Sequence, residues 1–353
     1  MALTIKEIAK LSGVSRGTVD RVIHGRPGVS PEIRERIQQI LDEKNYEPNA
    51  AAVALRRTDR RLTVGVVIPD LSNEFYIDVY EGIRAAARHC GGFGVCVEEY
   101  KMQDSTGEEL IRGIDFLMQK KVDALAFQGI DEEPVRQRLA QLPRDFPLVT
   151  FNNDLPGIDR LCFVGQESVA AGEVAGQMMR LFLRRQGPVA IFTGRASLSH
   201  QMERVRGFRS IIEGCSNVSS ICGPFETCEN EQIAFRQTEQ LLRTCPDLAG
   251  IYAAGGGQKS IASALAQSGR EQDVVMIGHD LLPRTVEFLA SGVVDCTIAQ
   301  EPYAQGYFPV EILSEYLLYH RTPAVDRLLT AVDIRIRGNA RFNGIGGRAE
   351  YNL

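Results

Sequence analysis

Polar and aromatic side chains recur at one kind of position in this chain, just beyond short apolar runs that read as β-strands. Asn73, Phe75 and Tyr76 follow the run 62–68, and Asn152, Asn153 and Asp154 follow 147–151. Glu167 follows 161–164, and His200 and Arg204 lie in the stretch after 188–193. Gly255 follows 249–253, Asp280 follows 273–278, and Gln300 follows 294–299. In open parallel sheets ligands bind beyond the C-terminal ends of strands. Aromatic faces, amides, carboxylates and a guanidinium together suit a polyhydroxylated solute. Rings lie on its C–H surface while planar polar groups bond neighbouring hydroxyls in pairs. Each position has a structural alternative. Phe75 and Tyr76 can be core aromatics, Asp280 can cap a helix beginning near Pro283, Arg204 can form a surface ion pair, and His200 can be a loop histidine.

Other chemistry is poorly supported. Gly255-Gly256-Gly257-Gln258-Lys259-Ser260 resembles a phosphate loop, but Gln258 stands where such a loop needs glycine before the lysine. The glycines are better explained by close approach of backbone to a ligand. No Ser-His-Asp, metal-ligand or acid–base set falls on adjacent strand ends, and the chain has only five His. Neither an enzyme nor a bound metal or cofactor is expected.

The elements that would position these residues alternate. Candidate strands are 62–68, 94–98, 123–127, 147–151, 161–164, 188–193, 218–222, 249–253, 273–278 and 294–299. Helix-length amphipathic stretches lie between most of them, at 75–90, 107–120, 168–185, 200–213, 230–244, 259–268, 283–290 and 304–319. That alternation predicts parallel sheets covered on both faces. The strands are too many for one compact sheet, so two similar halves are expected.

Residues 1–47 follow another plan. Thr4 and Glu7 form a capping box for a short helix with Ile5, Ile8 and Ala9 on one face. Gly13 breaks that helix between Leu11 and Val14, both expected to point inward. Ser15 caps a second helix, 16–23, with Val19, Val22 and Ile23 buried and Ser15, Arg16, Gly17, Asp20 and Arg21 outward. Ser30 and Pro31 open a third, with Ile33, Ile37, Ile40 and Leu41 at core spacing. This is a helix-turn-helix pattern whose second helix fits the major groove; a small bundle that binds protein is the alternative. Charge separates the two parts. Residues 1–61 hold twelve Lys and Arg against eight Asp and Glu, a net +4, which leaves −9 on the rest of a chain at −5 overall. A basic head on an acidic body lets one end alone approach phosphates.

The eight cysteines form no CxxC pair, and reduced thiols are expected. The first residues, MALTIKEIAK, lack an apolar signal core, and no apolar run approaches a membrane span. A cytoplasmic location without membrane contact is expected.

The run TIKEIAKLSGVSRGTVDRVIHGRPGVSPEIRERIQQILDEKNYEPN closely resembles the head of the lactose-repressor (LacI/GalR) family. The family's V-S-x-x-T-V-S-R-V stands here as Val14-Ser15-Arg16-Gly17-Thr18-Val19-Asp20-Arg21-Val22. Arg16 and Gly17 match the operator-choosing positions, and Asp20 replaces a serine that faces phosphate. The body resembles the ribose-like periplasmic-binding-protein type I core through Asn73-x-Phe75-Tyr76, Thr150-Phe151-Asn152-Asn153-Asp154, Ala171-Gly172, Arg204-x-x-Gly207-Phe208, Gly278-His279-Asp280 and Gln300-x-Pro302. Asn152-Asn153 stands where that branch often has Asp-Arg, and Ala254-Gly255 replaces its Asn-Asp pair. A less charged, locally roomier cleft is therefore expected.

The resemblance implies an α/β two-lobed core, two parallel sheets flanked by helices, behind an all-α helix-turn-helix domain. Residues 1–47 would be the head, 48–61 a hinge helix and linker, and 62–353 the core. One lobe would take about 62–162 and 297–330, the other about 163–296 and 331–345. DNA contacts are implied at Thr4, Ser15, Arg16, Gly17, Thr18, Arg21 and His24, and in the hinge at Asn49, Ala52, Leu55 and Arg56. Leu55 matches the apolar wedge that such hinges insert in the minor groove. Arg204 and Asp280 match the most dependable sugar contacts. A regulator of this kind binds pseudo-palindromic operator DNA as a homodimer and takes a monosaccharide, polyol or derivative as effector. The tail RFNGIGGRAEYNL lacks leucine heptads, which favours a dimer over a tetramer.

Overall fold

The body is built from two sheets of six strands with one shared plan. The structure is a computed structural model and describes residues 5–23, 28–43 and 61–341. In chain order its first part runs β1 (Leu62–Ile68), α4 (Phe75–Gly91), β2 (Val95–Lys101), α5 (Gly107–Gln119), β3 (Ala124–Phe127), α6 (Glu133–Ala140), β4 (Leu148–Phe151) and β5 (Cys162–Gln166). The second part runs α7 (Ser168–Phe182), β6 (Gly187–Thr193), α8 (Ser199–Ile212), β7 (Val218–Glu226), α9 (Glu231–Thr244), β8 (Gly250–Ala253), α10 (Gln258–Ser268), β9 (Val275–His279), α11 (Pro283–Ser291) and β10 (Cys296–Ala299). The chain closes with α12 (Pro302–Tyr319), β11 (Arg327–Thr330) and β12 (Asp333–Arg335).

The first sheet is ordered β11-β5-β4-β3-β1-β2 and the second β12-β10-β9-β8-β6-β7. Every pairing is parallel except β10 with β12. Strands such as β3 (ALAF) and β9 (VMIGH) are buried along their whole length, as continuous apolar runs require when helices cover both faces. The cores lie on each side of each sheet, for example Val64, Val79, Ile83 and Leu313 in the first lobe and Phe208, Tyr252 and Ile277 in the second.

Glycines set the helix spacing identically in the two lobes. A Cβ on Gly82 of α4 would lie 2.1 Å from the Tyr303 carbonyl oxygen of α12, and one on Gly306 would lie 1.9 Å from that of Val79. In the second lobe a Cβ on Gly172 of α7 would meet the Arg204 carbonyl oxygen of α8 at 2.1 Å, and one on Gly207 would meet that of Val169 at 2.1 Å. Both helix pairs therefore touch backbone to backbone.

The chain crosses between sheets after Gln166, after Ala299 and between Thr330 and Asp333. The first two crossings fall a few residues beyond the expected lobe boundaries at 162 and 296. The reason is pairing: Phe163–Gln166 bond to β11 in the first sheet, and Thr297–Ile298 bond to β9 in the second. Three elements were not anticipated. α6 buries only Val135 and Leu139, too weak a stripe to stand out, and β11 and β12 are four and three residues long.

In the head, α1 (Ile5–Ser12), α2 (Arg16–Ile23) and α3 (Pro31–Glu43) close on Ile8, Ala9, Val19, Val22 and Ile37. Gly13 ends α1 in the left-handed conformation, at φ 67°, and lets the Val14 amide reach back to the Ala9 carbonyl (3.1 Å). Leu11 does not point inward as expected; it is 57% exposed. The buried stripe of α1 runs through Ile8, Ala9 and Ser12, and Leu11 sits roughly 100° from its centre. No helix among the described residues is long and apolar enough to cross a membrane.

Candidate functional site

The strand ends of both lobes meet in a buried polar chain. Gln128, directly after β3, donates from Nε2 to the Tyr76 hydroxyl (2.7 Å) and to Asn152 Oδ1 (2.7 Å). Asn152 follows β4 at φ 60°, and its Nδ2 donates to Gln305 Oε1 (3.0 Å) in the first turn of α12. Gln305 Nε2 donates to Gln300 Oε1 (2.8 Å), and Gln300 Nε2 donates to Asp280 Oδ1 (2.8 Å). The chain thus runs from Tyr76 in the first lobe to Asp280 in the second. Asp280 follows β9 at φ 72°. Burial pushes its carboxyl above the ordinary range, against the pull of Arg204 and the Gln300 bond. The Tyr76 phenol is pushed up too, by burial first and by the Glu229 carboxylate next.

The second-lobe floor is formed by α8 and the ends of β6, β8 and β9. Arg204 is 2% exposed. Its Nη1 donates to the Ala254 carbonyl (3.1 Å), while Nε has no partner. Gly172 packed against the Arg204 backbone fixes where this side chain starts. Tyr252 stacks on Phe208 (centroids 4.1 Å apart), and its hydroxyl meets His279 Nε2 at 2.7 Å. Burial, then Arg204, holds the His200 and His279 imidazoles well below the usual histidine range.

The glycine run is not a ligand cradle. A Cβ on Gly255 would lie 2.3 Å from Gln201 Oε1, and one on Gly256 would lie 1.8 Å from Glu229 Oε2. The close approach is to the chain's own side chains, which fill the space expected to be roomier. Glu229 brings a charge to that space as well.

The lobes touch across the cleft. Asn153, after β4, offers Oδ1 to the Ser199 hydroxyl (3.0 Å), the His200 amide (2.9 Å) and His200 Nδ1 (2.9 Å) of α8. An amide oxygen only accepts, so Nδ1 carries the imidazole proton. Next to this clamp Leu198, a second-lobe residue, is buried in the first-lobe core with Leu110, Ile130 and Leu155. Leu282 packs against the cluster holding Phe75 and Tyr76, and Lys259 lies 3.9 Å from Glu74. A cavity of about 170 Å³ sits beside the clamp, lined in part by Gln166, Glu203 and Arg327.

Several residues expected here are engaged elsewhere. Asp154 is gripped by Arg160 through Nε (2.8 Å) and Nη2 (2.6 Å) and also accepts from the Thr150 hydroxyl (2.7 Å). Glu167 pairs with Arg327 (2.9 Å). Asn73 Oδ1 accepts from the Phe75 amide (3.1 Å) at the start of α4, and Phe75 is a core aromatic packed edge-on to Tyr76. Gln128, Gln201, Glu229 and Gln305 belong to the cleft and were not expected there.

The geometry is that of a two-lobed solute cleft behind a helix-turn-helix head. Residues 4–49 match the profile described as bacterial regulatory proteins, lacI family, and residues 64–320 match that of the periplasmic binding protein domain. The chain thus carries a lacI-family helix-turn-helix domain and belongs, over residues 64–320, to the periplasmic binding protein domain family. It is 28% identical over 218 residues to the HTH-type transcriptional regulator DegA of Bacillus subtilis (strain 168), covering 60% of this chain and 61% of that one. It is 31% identical over 218 residues to the catabolite repressor/activator of Escherichia coli (strain K12), covering 59% and 61%. The chain thus spans about three-fifths of the length of these curated relatives. The crystal structure of GanP, a glucose-galactose binding protein from Geobacillus stearothermophilus, superposes with a TM-score of 0.73 at 25% identity, over 80% of this chain and all of GanP. An ABC transporter solute binding protein from Agrobacterium vitis, bound with α-D-tagatopyranose, shares the fold with a TM-score of 0.71 at 20% identity, over 79% and 96%.

In this LacI-family head, Ser15, Arg16, Gly17 and Arg21 lie exposed, and Thr18 is half-buried. The Ser15 hydroxyl caps α2 by accepting from the Thr18 amide (3.1 Å) and meets the Thr18 hydroxyl at 2.9 Å. That leaves Arg16 and Arg21 as the outward cations of the helix. Thr4, His24, Asn49, Ala52, Leu55 and Arg56 lie outside the described residues, as do most of the expected hinge and the tail from 342.

Proposed function

We propose that this chain is a sequence-specific DNA-binding transcriptional repressor whose hold on an operator is set by a small sugar or sugar-like ligand between its lobes. The carrying observation is the buried Arg204 guanidinium of the second-lobe floor, whose Nε has no partner, in a chain headed by a helix-turn-helix. A buried unused donor on a charged group is costly, and a ligand oxygen relieves it. The name of GanP, a glucose-galactose binding protein, supports a monosaccharide. The repressor acts in the cytoplasm as a homodimer on a pseudo-palindromic site, as two identical heads require. The hinge around Asn49, Ala52, Leu55 and Arg56 joins head to body. Ligand bound more tightly in one arrangement of the lobes changes DNA affinity by a coupling of about 1–3 kcal/mol. No catalytic step is part of this reading. A solute sensor without DNA control is the second reading, favoured by the match of the body alone to GanP.

The test is a mobility-shift titration on DNA upstream of the chain's own and neighbouring genes, with and without monosaccharides. Retardation that a sugar changes by about 5–150-fold is expected. Arg16→Ala is expected to weaken retardation by about 1–3 kcal/mol and to leave calorimetric sugar affinity unchanged. No retardation of any such fragment under either condition leaves only the sensor reading.

A further inference from the structure

Three stretches of chain link the lobes covalently, after Gln166, after Ala299 and between Thr330 and Asp333. One side chain ties all three together. Gln166 is the last residue of β5 and is 1% exposed. Its Nε2 donates to the carbonyl of Ala299 (3.0 Å), the last residue of β10, and to that of Ala331 (2.9 Å), just past β11. Carbonyls only accept, so the NH2 end of the amide must face them. The other end, Oε1, is buried without a partner. An unpaired buried acceptor is costly, and an apolar side chain of similar size would avoid it. The two donated bonds are therefore what this residue supplies. Ala331 is held on its other side as well, since its amide donates to Glu301 Oε2 (3.1 Å) at the second crossing.

These bonds join parts that turn against each other when the lobes rotate. Gln166 lies opposite Thr330 in the first sheet, whereas Ala299 ends a strand of the second. Rotation tilts the peptide planes at the crossings. One amide nitrogen carries two hydrogens at a fixed angle, so it meets both carbonyls over a narrow range of those planes. In the structure that range coincides with contact between the lobes. The Asp131 amide, beyond β3, donates to the Ser197 carbonyl beyond β6 (3.1 Å), and the His200 amide donates to Asn153 Oδ1 (2.9 Å). The paired bonds of Gln166 thus belong to the closed arrangement.

We infer that Gln166 is the positioning residue of the hinge: its amide favours closed lobes and so sets the balance of arrangements that an effector shifts. The inference rests on the reading of the lobes as the effector-responsive part, and its test uses neither sugar nor DNA. Hydrogen–deuterium exchange of the full chain is resolved to single amides. Asp131 and His200 exchange when the lobes part, while Leu125 and Ala249, bonded to Pro147 and Pro188 within their own lobes, exchange on unfolding. Asp131 and His200 are expected to be the faster pair. Gln166→Met keeps the length but has no donor, and it is expected to speed exchange at Asp131 and His200 by at least about tenfold, the order of two lost hydrogen bonds. Gln166→Asn keeps an amide one methylene too short to span both carbonyls. It is expected to change the rates in the same direction, and it carries the test if the Met variant does not fold. Unchanged exchange at Asp131 and His200 overturns the inference even if Leu125 and Ala249 speed up, because the bonds would then outlast opening. Exchange at Asp131 and His200 as slow as at Leu125 and Ala249 also overturns it, because opening would then be no separate step. Either failure leaves the sugar-controlled regulator to its own mobility-shift test.

Discussion

His200 gives the cleft a pH dependence whose sign follows from its surroundings. Its ring is buried beside Arg204 and donates to Asn153, so it is neutral when folded, while the unfolded chain's histidine titrates near 6.5. The stability it contributes is full above that value and is lost as pH falls toward the lower folded value. His279 behaves alike. Asp280 and Glu229 run the other way, since their raised carboxyls contribute most at low pH and least once ionised. His200→Gln is expected to lose less melting temperature than the unaltered protein between pH 7.5 and 5.5, read by differential scanning calorimetry. An unchanged slope would remove His200 from the account. At this scale the strand-end rule reaches Asp280 and Gln300, which directly follow β9 and β10 and bond each other, whereas Arg204 lies inside α8. The rule points equally to Gln128, one residue past β3. Gln305 lies inside α12 and Glu229 beyond a left-handed turn, so neither carries a signal in its spacing. Asp154 has the right place, but Arg160, six residues on, captures it.

Helix pairing is where element-scale predictions belong. The contact of α7 with α8 depends on Gly172 and Gly207, where an added methyl would sit 2.1 Å from a carbonyl oxygen. Alanine favours a helix interior by up to about 1 kcal/mol over glycine. Overpacking against backbone costs about 1–3 kcal/mol, so the clash wins. Gly207→Ala is expected to lower stability in urea unfolding and, because α8 carries Arg204, to weaken sugar binding in the same preparation. Elements long enough to show a period were legible in the residues, as α4, α8 and α12 were. α6, β11 and β12 were not, because so few residues cannot display one. Leu11 shows the converse: its apolar character suggested burial, but the stripe of α1 passes through Ser12, whose hydroxyl bonds the Ile8 carbonyl (2.6 Å).

On the scale of the whole molecule, two sheets of equal order were foreshadowed by the number of βα repeats, while the crossing points were not, since only pairing partners fix them. The lobes are joined covalently at those crossings and also by the Asn153 clamp, Leu198, Leu282, the Lys259–Glu74 pair and the amide chain that ends on Asp280. Leu198→Ala removes apolar contact that exists only while the lobes are together. A buried Leu→Ala change costs about 2–5 kcal/mol. Here it is expected to fall on closure, with sugar affinity down at least about tenfold and a larger radius of gyration by small-angle X-ray scattering without sugar. An unchanged radius and affinity would mean that Leu198 does not hold the lobes together. The amide relay from Tyr76 to Asp280 adds a constraint on any guest. Gln128, Asn152, Gln305 and Gln300 already bond one another, so a molecule that engages them exchanges bonds, while Arg204 Nε offers it an unused donor. Measured affinity is then a difference between two nearly balanced sets of contacts. Discrimination between similar solutes can be sharp even where holding strength is modest, which suits a sensor that must let go when supply runs down.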